Sequence, residues 1–174
     1  MPQRPCGGKR GGVGSTRFHD RWAPGLVGDI AALHARFYAR SHGFGAAFER
    51  KVAAEFGALL AGFDPRRDLL RAAEGDGRFP GSTAVDGAGW PDAAQLRFFI
   101  LDPALHGRGL GRRWLAEAVA HARVAGFRRM FLWTLGGLGA ATALYEEAGF
   151  RLEEESVAAQ FGAPALERRF GLAL

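Results

Sequence analysis

QLRFFILDPALHGRGLGRRWLAEAVAHARVAGFRRMFLWTLGGLGAATALYEEAGF, residues 95–150, is the stretch from which the rest of the chain is read. It opens with an apolar run, Leu96 to Leu101, of the length and bulk expected for a buried strand. Asp102-Pro103 predicts a turn, and a glycine-rich loop follows at His106-Gly107-Arg108-Gly109-Leu110-Gly111. Trp114, Leu115, Ala118, Val119, Ala122 and Val124-Ala125 then recur at spacings of three and four, which predicts an amphipathic helix. Gly126 is placed to end it, and Met130 to Trp133 reads as a second buried strand. Strand, glycine loop, helix and strand together make a βαβ unit.

The loop has the composition of an anion site. Gly107, Gly109 and Gly111 lack a Cβ, so their backbone can adopt positive φ and approach a ligand closely. The first amides of the following helix have no internal partner and lie at the positive end of its dipole. A phosphate satisfies both, and Arg108, Arg112 and Arg113 add permanent cations able to fork onto its oxygens. A tightening strand-to-helix turn is the other reading, because G-x-G patterns are common. Two named phosphate loops are excluded. A Walker A loop needs Gly-Lys-Ser/Thr, and no lysine occurs in this region. A Rossmann fingerprint needs G-x-G-x-x-G directly after the strand; here Asp102 to Leu105 intervene and Trp114 takes the third glycine position.

Residues 106–111 resemble the Q/R-x-x-G-x-G/A loop of the GNAT superfamily of N-acetyltransferases, which wraps the pyrophosphate of acetyl-CoA. Downstream, Leu144-Tyr145-Glu146-Glu147-Ala148-Gly149-Phe150 resembles that family's L-Y-x-x-x-G-F helix ending, at the matching separation. The wording of the stretch, with the turn Phe63-Asp64-Pro65, looks closest to GNAT domains of the kind found fused to MarR-type regulators. The resemblance implies an α/β fold, a mixed central sheet flanked by helices, and transfer of an acetyl group from acetyl-CoA to a primary amine of a small molecule or peptide. It implies Tyr145 as the proton donor to the departing thiolate. A phenol's pKa of about 10 lies above a thiol's of about 8.5, so the proton is present when charge builds on sulfur. It implies backbone N–H groups of Phe99, Ile100 and Leu101 as partners of the pantetheine and thioester carbonyl, and the loop His106 to Gly111 with Arg112 and Arg113 as the cofactor cradle. A homodimer is common in the family. Three departures stand out: His106 replaces the usual Gln or Arg, Leu135-Gly136-Gly137-Leu138 lacks the asparagine many relatives place before the tyrosine helix, and the strand after Pro80 is thin where the family usually carries a bulky one. A non-catalytic acyl-CoA-binding sensor module is therefore the alternative.

The remainder agrees with one domain over 17–174, preceded by a glycine- and arginine-rich leader at 1–16 expected to be disordered. The chain has 174 residues, 48% hydrophobic and 24% charged, ordinary for a globular protein. The formal net charge is +5, almost wholly from arginine, with Lys9 and Lys51 the only lysines. That balance suits an anionic cofactor, and no aromatic-interleaved basic stripe points to nucleic acid. One cysteine, Cys6, rules out an internal disulfide or a Cys-based zinc site, and no histidine-carboxylate cluster has metal-ligand spacing. No apolar run approaches the roughly 20 residues of a membrane span, and the N-terminus has no signal core, so no membrane partner and a cytoplasmic location are expected.

Two helices are predicted at Val27–Arg40 and Ala46–Ala61, separated by Ser41-His42-Gly43. In the resembling family such a pair flanks the acceptor site, which makes Phe37, Tyr38, His42, Phe44 and Glu49 acceptor-pocket candidates. At helical spacing their aromatics also read as core, and His34 and His42 as surface or core histidines. Asp68 to Glu74 reads as a strand, Gly75-Asp76-Gly77 as a hairpin turn, and Gly81 to Val85 as a thin edge or irregular segment because of Pro80 and the lack of bulky residues. Leu138 to Ala148 reads as a short helix, with final strands at Phe150–Glu154 and Leu166–Leu174. For the general base, Glu74, Glu49, His42, Glu154 and water all remain open.

Overall fold

A computed structural model describes residues 16–159, 161 and 163–174. The leader expected at 1–16 lies, apart from Thr16, outside the described residues. The elements run β1 (Arg17–His19), α1 (Leu26–His42), α2 (Ala46–Ala61), β2 (Leu69–Gly75), β3 (Arg78–Asp86), β4 (Ala93–Leu101), α3 (Leu110–Val124), β5 (Arg129–Leu135), α4 (Gly139–Glu147), β6 (Arg151–Ala158) and β7 (Ala165–Ala173). One seven-stranded sheet has the order β1-β2-β3-β4-β5-β7-β6. Among the described strands only β4 and β5 pair in parallel, as a strand-helix-strand crossover requires.

Strand alternation divides the core between two faces. Leu69 of β2 and Val85 of β3 point to one side, packing with Leu115, Ala118 and Ala122 of α3. Their neighbours Leu70, Ala72 and Ala84 point to the other, against Leu26 and Ile30 of α1 and Phe56 of α2. The apolar stripe read along α3 is buried from Leu110 to Ala122, whereas Val124, placed on that stripe by its spacing, is 90% exposed at the last residue of the helix. Gly126 (φ 83°) then turns the chain into β5.

The expectation of a thin edge strand at Gly81–Val85 is overturned. β3 spans nine residues, pairs with β2 on one side and β4 on the other, and is buried along almost its whole length. Small residues are required because both faces are covered. A Cβ at Gly81 would lie 2.6 Å from a Leu101 methyl and 3.0 Å from the Ile100 carbonyl oxygen. Pro80 falls where the β2–β3 register shifts, so its missing N–H breaks no regular pair, and its carbonyl accepts the Asp102 N–H at 2.7 Å. The predicted hairpin is present: Asp76 (φ 51°) and Gly77 (φ 72°) both take positive φ, the requirement of a two-residue turn matched to strand twist.

The feature that opens the site is a bulge in β4. Arg97 pairs with Ala84 and Ile100 with Ser82, so Phe98 and Phe99 together face Thr83. Phe98 takes φ 50°, a left-handed conformation unusual for a bulky residue. It is held there by the Ser82 hydroxyl, which donates to the Phe98 carbonyl at 2.7 Å, and by ring packing on Phe56 with centroids 4.6 Å apart. β4 and β5 pair only as far as Leu96 and Leu132. Beyond that point the two strands diverge, and the backbone groups that β4 turns toward β5 have no strand partner.

Candidate active site

Two cavities open in the wedge between the diverging strands. The larger, about 630 Å3, runs from Phe99, Ile100 and Leu101 along the glycine loop to α4. The smaller, about 400 Å3, lies between α1, α2 and the β4–β5 fork. Tyr38, Phe99, Thr134 and Tyr145 line both, so the cavities meet at one junction.

At the outer end of the larger cavity the loop is shaped as its glycines imply. Gly107 (φ 71°) and Gly109 (φ 72°) are left-handed, and among the described residues beyond their chain neighbours no atom lies within 4 Å of where a Cβ would stand on either. Gly109 caps α3 without a side-chain bond. The first helical bond is Arg113 N–H to Gly109 C=O at 3.0 Å, which leaves the amides of Leu110, Gly111 and Arg112 without helical partners. Gly111 faces inward; a Cβ there would touch Leu101 and Leu144 at 3.5 Å. Free amides, an open cradle and a long apolar-walled channel fit a ligand with an anionic head and an extended chain.

Of the cofactor residues predicted from sequence, Phe99, Ile100, Leu101, His106, Gly107, Gly109, Leu110, Gly111 and Arg112 line this cavity. Arg108 and Arg113 do not. Arg113 turns back over the Phe18 ring (4.9 Å) toward Glu117 (3.5 Å), and Arg108 is exposed. Arg112 pairs with Glu147 of α4 at 2.6 Å across the cavity rim. His106 Nε2–H donates to the Leu101 carbonyl at 3.0 Å, tying the loop to the end of β4.

Tyr145, on α4, is 6% exposed and touches the rings of Phe99, Phe150 and Phe170. Burial, with a smaller effect from Tyr38, pushes its phenol above the ordinary value. Among the described residues its hydroxyl has no hydrogen-bond partner. Burial likewise pushes Tyr38 up to about 12. Both of the chain's tyrosines therefore hold their protons at the junction.

The acceptor candidates divide. Tyr38 and Phe44 line the smaller cavity and Phe37 the larger, while His42 and Glu49 line neither. His42 Nε2–H donates to the Gly136 carbonyl at 3.0 Å, bracing α1 against the loop after β5. The residues missed in the sequence are Phe48, Lys51, Val52 and Glu55, an i, i+3, i+4, i+7 stripe of α2, together with His34, Arg97, Trp133, Thr134 and Phe161. Helical spacing contained that stripe, but nothing local to Lys51 and Glu55 marks them as facing a cavity. Of the bases left open, Glu74 is engaged with His19 at 2.7 Å on β2, and neither it nor Glu154 lines a cavity.

His34 is 7% exposed, with Nδ1–H donated to the Ile30 carbonyl at 2.8 Å. Burial lowers its pKa from 6.5 to about 4, against the weaker opposing effect of that bond. The unfolded chain thus takes up a proton as pH falls through 6.5, and the folded chain does not until about 4. Stability is fully present above 6.5 and is lost through that window, by on the order of 3 kcal/mol from this one group. Urea midpoints followed down the same pH range should fall more steeply for the wild type than for His34→Leu; parallel curves would show that His34 titrates normally.

No group of His, Cys, Asp and Glu side chains among the described residues could hold a metal ion. No helix among them is long and apolar enough to cross a membrane. The fold is that of an acetyltransferase from Streptococcus agalactiae (TM-score 0.70, 16% identity, covering 91% of this chain and 98% of that one). It is also that of YncA from Salmonella typhimurium, solved with its cofactor acetyl-CoA (TM-score 0.59, 20% identity, 94% and 95%). In sequence, the chain is 38% identical over 104 residues to a mycothiol acetyltransferase of Beutenbergia cavernae, a match covering 59% of this chain and 33% of that protein. It spans about a third of the length of the curated relatives it matches. The wedge, the glycine loop at the start of α3 and the tyrosine of α4 all fall within or beside residues 29–150, the segment that matches the model of the Acetyltransferase (GNAT) family, and the chain belongs to that family.

Proposed function

We propose that the chain is an N-acetyltransferase that moves an acetyl group from acetyl-CoA to a primary amine of a small molecule or peptide, by direct attack on the thioester. The observation that carries this reading is the junction: a channel suited to a long anionic cofactor and a separate chamber meet at Tyr38, Phe99, Thr134 and Tyr145. Acetyl-CoA, the family's cofactor, supplies an activated acetyl group.

The protein's own groups do the rest. The amides of Leu110, Gly111 and Arg112 would hold phosphate oxygens, helped by Arg112 once it shares itself between Glu147 and the ligand. Backbone groups of β4 beyond the bulge, free of β5, would orient the acyl chain and donate to its carbonyl oxygen. Tyr145 keeps a proton at Oη and would deliver it to the leaving sulfur. Tight packing around its ring fixes the hydroxyl's position without a hydrogen bond that would compete for it.

Calorimetric titration with acetyl-CoA tests the reading, with desulfo-CoA and ATP as controls. Low-micromolar binding of both CoA compounds and none of ATP is the expected result. Absence of CoA binding would leave the glycine loop a structural turn and end the proposal.

A further inference from the structure

We infer that the smaller chamber takes an arylalkylamine: a primary amine on a short chain that ends in an aromatic ring and carries no other charge. This rests on the acetyltransferase reading of the junction, and adds to it the chemical class of the acceptor.

The chamber's outer wall is a set of rings in mutual contact. Phe48 lies 4.9 Å from Tyr38, 5.1 Å from Phe44 and 5.0 Å from Phe161, centroid to centroid. Trp133, 43% exposed, lines the same space from β5. Such a wall gains by covering another ring, through apolar burial and edge-to-face contact. An entering ammonium is also favoured over ring faces. The volume of about 400 Å3 is at the small end of ligand sites, suited to one or two fused rings rather than a folded peptide.

The charged groups in the chamber are already used. Glu55 pairs with both Lys51 and Arg97, and Arg97 pairs in turn with Asp86 at 2.7 Å. Glu167 is itself partnered. An acceptor carboxylate or phosphate would have to draw Lys51, 46% exposed, from Glu55, or Arg97, 19% exposed, from two carboxylates. A second ammonium would compete with two cations for Glu55. His34 adds no charge: its Nδ1–H is committed to Ile30, so Nε2 is left as an acceptor for an amine N–H. Apolar body, single amine and no further charge are what these groups accept.

The test is a panel of acceptors with acetyl-CoA, read by thiol release: phenethylamine and tryptamine against n-butylamine, putrescine, phenylalanine and a lysine peptide. In parallel, calorimetry follows phenethylamine binding to the protein loaded with CoA. The arylalkylamines should exceed every other member in kcat/KM by at least about tenfold, and phenethylamine should bind without turnover. Phe48→Ala should raise KM for phenethylamine by about tenfold while acetyl-CoA affinity stays unchanged, since Phe48 does not line the larger cavity. Phe48→Leu replaces it if the alanine variant does not fold. Acetyl-CoA binding with a preference for putrescine, phenylalanine, n-butylamine or the peptide would overturn the inference and leave the acetyltransferase standing. No acetyl-CoA binding at all would remove both.

Discussion

Tyr145→Phe is expected to lower kcat by about 100-fold or more while leaving acetyl-CoA affinity and thermal stability essentially unchanged. The magnitude follows from what one oxygen does. At 6% exposure and with burial holding its pKa above the ordinary phenol value, the phenol carries its proton at neutral pH and is ready to donate it. Removing the oxygen leaves a thiolate to depart unassisted or to wait for water. Stability should not suffer, because the hydroxyl has no partner among the described residues and its loss orphans nothing. The ring contacts to Phe99, Phe150 and Phe170 are kept by phenylalanine. The measurement is thiol release under saturating acetyl-CoA with calorimetry alongside. Turnover within about twofold of wild type would assign the proton to water and remove Tyr145 from the chemistry. A chain that binds acetyl-CoA tightly with no turnover in either form would be the acyl-CoA-binding sensor instead.

The parts of the molecule that were readable are those where chemistry and local pattern coincide. The stretch 95–150 carries its own punctuation: an apolar run, glycines where φ must be positive, and a periodic helix between two strands. β3 was misread because Gly81-Ser82-Thr83-Ala84 looks poor in core residues, when small side chains are what a strand covered on both faces demands. The bulge at Phe98 was invisible, since nothing about a phenylalanine between Arg97 and Phe99 signals φ 50°. Yet that bulge is what ends the β4–β5 pairing and creates the junction. The acceptor chamber was half legible. Tyr38 and Phe44 were found as aromatics near a helix break, but the place of Lys51 and Glu55 at the chamber, where Glu55 meets Arg97 from a distant stretch of the chain, is set by tertiary packing. The same long-range dependence explains the bases: Glu74 and Glu154 carry suitable groups, and the sheet places neither beside a cavity.

Gly109→Val should weaken acetyl-CoA binding by at least about tenfold, and the reason is backbone conformation rather than space. Among the described residues beyond its chain neighbours no atom lies within 4 Å of a Cβ at this position, so the added Cβ itself meets no clash. The obstacle is φ 72°, where a β-branched residue is disfavoured by roughly 1–2 kcal/mol. The chain relieves that strain by rotating the peptide that begins α3. Rotation turns the amides of Leu110, Gly111 and Arg112 away from the channel, and the anion site is lost with them. The substitution should also lower Tm, by roughly 2–8 °C. Strain alone does not account for a binding defect, which is why Gly77→Val is the necessary comparison. Gly77 has the same φ of 72° and equally open surroundings, but it sits in the β2–β3 hairpin and lines neither cavity. The two variants should lose similar stability, and only Gly109→Val should lose the cofactor. If both bind acetyl-CoA like the wild type, the free amides at the start of α3 are not where the phosphates rest. If both lose it equally, the defect is global, and the loop has no special claim to the cofactor. A selective loss at Gly109 ties one left-handed glycine, through three amides, to the binding of the acetyl donor.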